Sequence, residues 1–243
     1  MRSNKQPRIR IIHVIITWTV PKRQKHLFLE NTTPLTLSPS KYIIYNHNTV
    51  LFHDQKEDSM NFEQMLLQRE SCRAYKDTPV SREHLCKICE AGRLTPSACN
   101  SQPWKFLIVD EAEAKDRLCD ALCIEGGKSG APWRKECPAF IALVEQKAKL
   151  LPTAVEYYKD TQYFAQGDVG MASLNMCYQA MELGLSTCIL GLIDQKKMQA
   201  HFGISEEMVV RVIIAIGYRK EDAPARPKVR KSFDDVVCIN EWK

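Results

Sequence analysis

Three polar side chains at alternating positions, Arg69, Ser71 and Arg73, are of the types that bind a phosphate group. In an extended segment they would point the same way, because successive side chains face opposite sides. Two guanidinium groups can form bidentate, charge-assisted hydrogen bonds with phosphate oxygens, and the hydroxyl adds a neutral donor. The triplet therefore predicts a phosphate site, although ordinary surface charge is the commoner explanation of such a pattern.

A second candidate is the loop between Pro96 and Pro103, which contains Ser97, Asn100 and Gln102. Each side-chain amide offers a donor and an acceptor, which suits the polar edge of a heteroaromatic ring. The prolines restrict the backbone, and the loop leads directly into an apolar strand. We expect a rigid binding loop; the alternative is an ordinary helix-to-strand turn.

A basic segment near the C-terminus could bring further phosphate ligands from a distant part of the chain. It contains Arg226, Lys228, Arg230 and Lys231. The alternative interpretation of this segment is a solvated tail.

Ten cysteines occur, none of them in residues 1–59. Cys86 and Cys89 form a C-x-x-C pair, and Cys119 and Cys123 are four residues apart, both in segments with helical apolar spacing. A zinc site would need a second pair, usually on loops, and a thioredoxin-type motif would follow a strand. We therefore expect thiols in a reducing compartment, which predicts a cytoplasmic protein without a metal site.

Residues 1–59 differ in composition from the rest of the chain. They contain nine Lys/Arg and four Asp/Glu, and so carry a formal charge of +5, equal to that of the whole chain. Residues 60–243 are therefore neutral overall, with no electrostatic basis for binding nucleic acid. We expect residues 1–59 to be a disordered extension, or to precede a natural start at Met60, and residues 60–243 to form one domain. The apolar run from Ile9 to Val20 is too short to span a membrane.

The element expected to position the candidate residues is a long helix from Tyr163 to Leu183. Apolar side chains surround it, and it has no charge between its two acids, so protein should cover all of its faces. Gly184 is expected to end it, a strand from Leu185 to Leu190 follows, and Gly191 allows close approach of backbone to a ligand. A buried helix of this length suggests the core of a dimer with a ligand at its edge.

Other apolar runs and helical spacings predict the remaining elements. The expected strands are Lys105 to Val109, Pro138 to Val144 and Val209 to Ile216. Helices are expected to begin near Asn61, after the N-cap Ser81, at Asp110 and after Asp194. Gln146 to Val155 is expected to be a linker or lid. The segment Gly126 to Gly130 is expected to be a mobile loop, since a P-loop would require glycine where Leu122 stands.

Four motifs in this order resemble those of the nitroreductase-like FMN oxidoreductases, over Met60 to Lys243. They are Arg69-x-Ser71-x-Arg73, Pro96-Ser97-Ala98-x-Asn100-x-Gln102-Pro103-Trp104, Gly184-Leu185 through Gly191, and Gly217-Tyr218 with Pro227-Lys228-x-Arg230. The resemblance implies an α+β fold with a central, mostly antiparallel sheet flanked by helices. It also implies an intertwined homodimer. The long helix would pack at the interface, C-terminal arms would embrace the partner, and two FMN molecules would lie between the subunits.

The resemblance implies roles for individual residues at the phosphate end of FMN. The phosphate would be bound by Arg69, Ser71, Lys228 and Arg230. Arg73 would reach the ribityl chain and the N1/C2=O edge, where a cation stabilises the reduced, anionic flavin.

At the isoalloxazine end, the resemblance implies contacts from two further segments. Asn100 and Gln102 would contact the ring, and Ser97 would contact the flavin of the other subunit. Leu190 and Gly191 would present backbone near N5.

The implied reaction is a two-step hydride transfer. NADH or NADPH would give a hydride to flavin N5, and an electron-poor acceptor, such as a nitroaromatic or a quinone, would then be reduced in the same place. The flavin carries the chemistry, so no nucleophile–base pair is needed. Two alternatives stay open: a different reduction at the same site, such as dehalogenation or enone reduction, and a flavin- or ligand-binding module without turnover. Acceptor choice is expected to depend on the segments Gly126–Trp133 and Lys147–Tyr158.

Overall fold

A computed structural model of the chain describes residues 60–122, 132–224 and 226–242. Its elements, in chain order, are α1 (Phe62–Gln68), α2 (Arg82–Arg93), a 3₁₀ turn (Ala98–Asn100), β1 (Trp104–Val109), α3 (Ala112–Ala121), α4 (Trp133–Glu136), β2 (Ala139–Glu145), α5 (Pro152–Tyr158), α6 (Ala165–Glu182), β3 (Ser186–Leu190), α7 (Gln195–Phe202) and β4 (Val209–Gly217). The predictions for residues 1–59 and for the loop Gly126–Gly130 lie outside the described residues. The extension, the start at Met60 and the division of the chain at residue 60 therefore stay predictions.

The four described strands form one sheet in the order β1-β2-β4-β3, and every neighbouring pair is antiparallel. This confirms the α+β class and the mostly antiparallel sheet. Each strand begins and ends within one residue of its predicted limits. The apolar runs were reliable here because side chains on both faces of the sheet are buried.

Alternation along β2 sends successive apolar side chains to opposite faces of the sheet. Ile141 and Leu143 belong to a core shared with α2 and α6. Phe140 and Val144 belong to a second core, shared with α3 and α7. Burying one such large side chain contributes about 1.5–3 kcal/mol. All of β2 is buried, so it is a central strand with helices on both faces.

Helix α6 lies within the predicted range and has one buried side. Val169, Met176 and Ala180 are buried against α2 and the sheet. On the other side, Met171 is 47 % exposed and Leu174 is 41 % exposed. The single chain therefore covers only part of this apolar helix.

The predicted end of α6 at Gly184 is confirmed. The Gly184 N–H donates to the Met181 carbonyl at 2.9 Å, and the Leu185 N–H donates to the Ala180 carbonyl at 2.8 Å. This pattern is a Schellman motif, and it needs a left-handed residue at the position of Gly184, whose φ is +72°. The motif turns the chain directly from α6 into β3.

The prediction of a linker or lid from Gln146 to Val155 is wrong in part, because helix α5 begins inside it at Pro152. Proline is favoured at the first helical position, where its missing N–H would have no helical partner. Trp133–Glu136, a single helical turn, was also not predicted. Neither helix begins with a side-chain N-cap, so the start signal that Asn61 gives for α1 is missing from both.

Among the described residues, no helix combines the length and apolar character needed to cross a bilayer. The cytoplasmic location inferred from the thiol content stays a prediction.

We expect Gly184→Ala to lower the free energy of unfolding by about 1–2 kcal/mol, because left-handed backbone is strained for an L-residue. Gly167→Ala is the matched control: it lies in α6, and a Cβ there would meet nothing within 4 Å. That substitution should stabilise the helix by up to about 1 kcal/mol. Urea unfolding of both variants measures the difference, and effects of the same sign would contradict the assignment.

Candidate functional site

The segment carrying Arg69, Ser71 and Arg73 is extended, as the phosphate prediction requires. After α1, Ser71 forms a parallel bridge with Thr187 of β3, and the Cys72 N–H donates to the Thr187 carbonyl at 2.9 Å. Cys72 is buried, whereas Ser71 is half-buried and Arg73 is exposed. The polar side chains therefore alternate with side chains that enter the core.

The far end of this segment is anchored by the buried Tyr75. Its hydroxyl donates to the Cys72 carbonyl at 3.0 Å. Burial, and then the neighbouring thiol of Cys137, raises the pKa of Tyr75, so the phenol stays neutral. Tyr75 also forms an antiparallel bridge with Arg219, just after β4. The chain that follows β4 is thereby tied to the candidate phosphate segment.

Arg69 lines a cleft of about 210 Å³ formed with the end of α6 and the start of β3. Glu70 and Arg219 also line this cleft and form an ion pair with each other. Arg219 donates in addition to the Ala223 carbonyl at 2.7 Å. Since Glu70 and Arg219 neutralise each other, the cleft keeps the positive charge of Arg69.

The C-terminal segment brings Lys228 close to the end of α1 and to Arg69. Its Nζ donates to the Leu66 carbonyl, in α1, at 3.3 Å. Partial loss of hydration, followed by the charges of Arg69 and Arg230, lowers the pKa of Lys228. Cations that repel one another in this way are stabilised by an anion placed among them. The structure thus brings three of the predicted phosphate ligands together, while their role in binding FMN stays a prediction.

Arg73 lies close enough to Cys188 of β3 for its charge to act on that thiol. Its Nη1 is 3.5 Å from the Ser71 carbonyl oxygen. Burial raises the pKa of the Cys188 thiol in β3, and the charge of Arg73 offsets part of that rise. A cation is therefore available beside β3, as the predicted role of Arg73 requires.

The loop between Pro96 and Pro103 has an unusual backbone. Cys99, Asn100 and Gln102 have φ values of 54°, 50° and 48°, a region that residues other than glycine seldom adopt. Such conformations persist only where surrounding contacts hold them, and they concentrate at functional sites. This observation favours a binding loop over an ordinary turn.

Hydrogen bonds within the loop and to the chain after β2 hold this loop in place. The Ser97 hydroxyl accepts from the Gln102 N–H at 2.9 Å, and the side chains of Asn100 and Gln102 join at 3.2 Å. The Ser101 hydroxyl accepts from the Lys149 N–H at 2.8 Å. The Pro103 carbonyl accepts a hydrogen bond from the Gln146 N–H at 3.0 Å. The side chains of Asn100 and Gln102 are exposed, so they can contact a ligand.

Asp168 is a positioning residue that the sequence analysis missed. Both of its carboxylate oxygens lie 3.2 Å from the Ala98 N–H, which ties the first turns of α6 to the loop. The carboxyl is buried, and Asp168 is the only charge in α6 before its last residue. A lone acid in an apolar helix was the available signal, because a buried charge needs a partner.

The predicted contacts near N5 lie at the end of β3. Leu190 pairs with Ile213 of β4, and Gly191 follows, exposed. Ser71 pairs near the beginning of the same strand, at Thr187. The structure therefore places Leu190 and Gly191 along the same edge as the phosphate segment, but further down the strand.

The amide loop and the phosphate segment lie at opposite edges of the sheet. The loop precedes β1, whereas Ser71 lies outside β3. Neighbouring strands are about 4.8 Å apart, so four spacings separate these edges by about 19 Å. The single chain does not bring Asn100 and Gln102 to the cations.

Comparison with known proteins gives the family. The sequence model of the nitroreductase family matches residues 66–218, which include the phosphate segment, the amide loop and all four strands. The chain belongs to the nitroreductase family. This confirms the resemblance inferred from the four motifs, while Lys228 and Arg230 lie beyond the matched range.

Individual relatives agree with this family over most of their length. The major NAD(P)H-flavin oxidoreductase of Aliivibrio fischeri is 28% identical over 198 residues, which is 66% of this chain and 89% of that protein. An FMN-dependent nitroreductase of Clostridium difficile R20291 is 26% identical with a TM-score of 0.56, over 73% of this chain and 98% of that one. A structure from Exiguobacterium sibiricum in complex with FMN has a TM-score of 0.63 at 22% identity, over 77% of this chain and 99% of that one.

The pH dependence of stability should report the buried carboxyl of Asp168. Burial raises its pKa, and the hydrogen bond from Ala98 opposes part of the rise. With the higher pKa in the folded state, stability from this group is greatest in acid and falls as the pH rises from about 4 through the folded-state pKa. Asp168→Asn keeps an oxygen acceptor for Ala98 and removes this titration.

We therefore expect the Tm of Asp168→Asn to improve relative to wild type as the pH rises from about 4 to about 7. Asp160→Asn, which removes an exposed acid before α6, controls for the loss of one charge. A Tm difference that is constant with pH, or that matches the control, would contradict the role of the buried carboxyl.

Proposed function

We propose that this chain passes reducing equivalents from NAD(P)H through FMN to an electron-poor aromatic acceptor or quinone. Membership of the nitroreductase family confirms the expected class, an NAD(P)H-dependent oxidoreductase, and the expected FMN cofactor. The observation that carries the finer proposal is that Lys228 contacts α1 and feels the charges of Arg69 and Arg230, while Arg69 lines the cleft beside β3.

These residues fit the phosphate end of FMN. A phosphate monoester carries about two negative charges near neutral pH and offers three acceptor oxygens. The mutual repulsion that lowers the pKa of Lys228 would be relieved by this charge. Ser71 adds a hydroxyl donor at the same edge, because its backbone is fixed to β3.

FMN, when bound, would supply the hydride chemistry at N5. The chain would position the ring and set its electrostatic environment. Arg73 would place its charge by the N1/C2=O edge, where negative charge develops on reduction. Asn100 and Gln102 would orient the ring through their exposed amides.

We infer a homodimer from the geometry of the single chain. The sheet edges that carry the loop and the phosphate segment are about 19 Å apart, so the loop and the cations of one chain do not meet at a single flavin. The loop of one chain would therefore face the flavin whose phosphate is held by the other. The exposed apolar side chains Met171 and Leu174 of α6 are available to form the interface.

The C-terminal segment supports the same assembly. Phe233, Ile239 and Trp242 are all largely exposed in the single chain, Trp242 at 94 %. An arm with this many exposed apolar side chains fits one that packs on a partner.

An aromatic acceptor is favoured by a cluster of rings beside the loop. Tyr158 and Tyr163 stack with centroids 3.9 Å apart, and Tyr157 and Phe164 meet them edge-on. The segment that leads into this cluster is joined to the loop at Ser101. These rings offer a flat apolar surface to a nitroaromatic or quinone. The other segment expected to select the acceptor lies mostly outside the described residues.

Anaerobic stopped-flow reduction of the FMN-loaded protein tests the enzyme proposal. We expect NADH or NADPH to bleach the flavin absorbance and a nitroaromatic to restore it. Arg73→Ala should keep FMN but slow reduction by roughly a hundredfold, in the range lost with one donor of this type. Arg82→Ala, which removes an exposed guanidinium paired with Asp110, is the control.

Three results would contradict this proposal or a part of it. A yellow protein that neither nicotinamide bleaches would support the binding module without turnover. Reduction of Arg73→Ala at the wild-type rate would remove the proposed role of that cation. A halogenated compound or an enone that is turned over faster than nitroaromatics and quinones would change the acceptor class.

The dimer proposal has its own test. We expect Leu174→Glu to shift the protein from dimer to monomer in analytical ultracentrifugation and to weaken FMN binding, because a charge would be buried in the interface. Gln166→Glu adds the same charge at another exposed position of α6 and should leave the dimer intact. A wild-type monomer that binds FMN stoichiometrically would be inconsistent with the shared site.

A further inference from the structure

The C-x-x-C pair of α2 has no part in the proposed flavin chemistry. Cys86 is exposed and Cys89 is half-buried. Both line one surface depression of about 410 Å³, together with Gln102 of the amide loop, Trp104 and Phe106. The two rings are nearly parallel, at 13°, with centroids 6.3 Å apart. Two thiols therefore open onto the same small space as an aromatic wall.

This depression does not suit a metal ion that needs three or four protein ligands. Among the residues that the structure describes, no group of three or more His, Cys, Asp or Glu side chains could hold a metal. The acid at the rim, Glu90, is bound through both oxygens by Arg93, at 2.6 Å each. A ligand of this site would be bonded to two protein sulfur atoms, and its remaining substituent would be its own.

A disulfide between the two cysteines is disfavoured by the helix. Helical side chains three residues apart have Cβ atoms about 5–6 Å apart, whereas a disulfide needs about 3.5–4.5 Å. A bridging atom with two bonds to sulfur of about 2.3 Å each can join sulfurs that are too far apart to bond directly. The spacing therefore favours a bridged pair in an intact α2.

The protonation state of Cys89 also favours a bridged pair of thiols over a disulfide. Burial, followed by the neighbouring Cys86, raises its pKa to about 12. Near neutral pH this thiol is protonated, so it is a poor nucleophile toward oxidants. It can still react with a ligand whose hydroxide leaves together with the thiol proton as water.

We propose that Cys86 and Cys89 bind a trivalent arsenical carrying one aryl group, which lies against Trp104 and Phe106. An aryl-As(OH)₂ loses two As–O bonds and gains two As–S bonds. Each hydroxide leaves with a thiol proton, so two waters form and neither arsenic nor sulfur changes oxidation state. The arsenic thus has two protein sulfurs and its own aryl carbon as substituents.

Phenylarsine oxide, which hydrates to this species, is the probe for the full-length protein. We expect one arsenical per chain, the loss of two titratable thiols and an adduct that peptide mass spectrometry maps to α2. Cys86→Ser and Cys89→Ser should each weaken binding by roughly a hundredfold, because the second bond to a chelated atom forms intramolecularly. Cys238→Ser, which removes an exposed cysteine of the C-terminal segment, should leave binding unchanged.

Several results would overturn the site. One is wild-type binding of the arsenical by a single serine variant that is folded, as judged by circular dichroism. Another is an adduct that maps to other cysteines. A third is a Cys86–Cys89 disulfide in the isolated protein. Equally tight binding of a methyl-substituted trivalent arsenical would contradict the proposed contact of the aryl group with Trp104 and Phe106. Binding is measured on the FMN-loaded protein, and none of these results depends on reduction of the flavin by NAD(P)H, so they leave the proposed enzyme function standing.

Discussion

Backbone hydrogen bonds attach the extended segment from Ser71 to Tyr75 to the outer side of β3 and to the chain beyond β4, and the positions of the candidate phosphate ligands depend on this attachment. Each such bond contributes about 0.5–1.5 kcal/mol, and the burial of Cys72 and Tyr75 adds to it. The same attachment directs Arg219 toward Glu70. Two segments more than a hundred residues apart are thereby held at one cleft.

Helix α6 connects the two ends of the proposed site. Near its beginning, Asp168 holds the amide loop through Ala98. At its end, Gly184 turns the chain into β3, beside the cleft that Arg69 lines. An 18-residue helix is about 27 Å long, so it keeps these regions well separated. Helix α6 thus sets the distance between the amide loop and the cleft of one chain, and a second subunit would have to bring its own loop to that cleft.

The sequence was informative wherever local pattern and burial agree. The strand limits, the Gly184 terminus and the helix N-caps at Ser81 and Asp194 follow from apolar alternation, backbone freedom and short polar side chains. Helix α5 was not predicted because Leu151, at its N-cap, lacks the capping side chain that Asn61 provides for the equally short α1. The role of Asp168 escaped notice because its partner is a backbone N–H seventy positions away.

By itself, the sequence determined the class of the fold, the separate motifs and the residue types able to bind a phosphate and a flavin ring. Those features depend on side-chain chemistry and on periodicity over a few residues. Only the tertiary structure decided that Arg69, Lys228 and Arg230 converge and that Asn100 and Gln102 lie at the opposite edge. Strand order and the path of the chain after β4 determine both outcomes, and they depend on packing between segments distant along the chain.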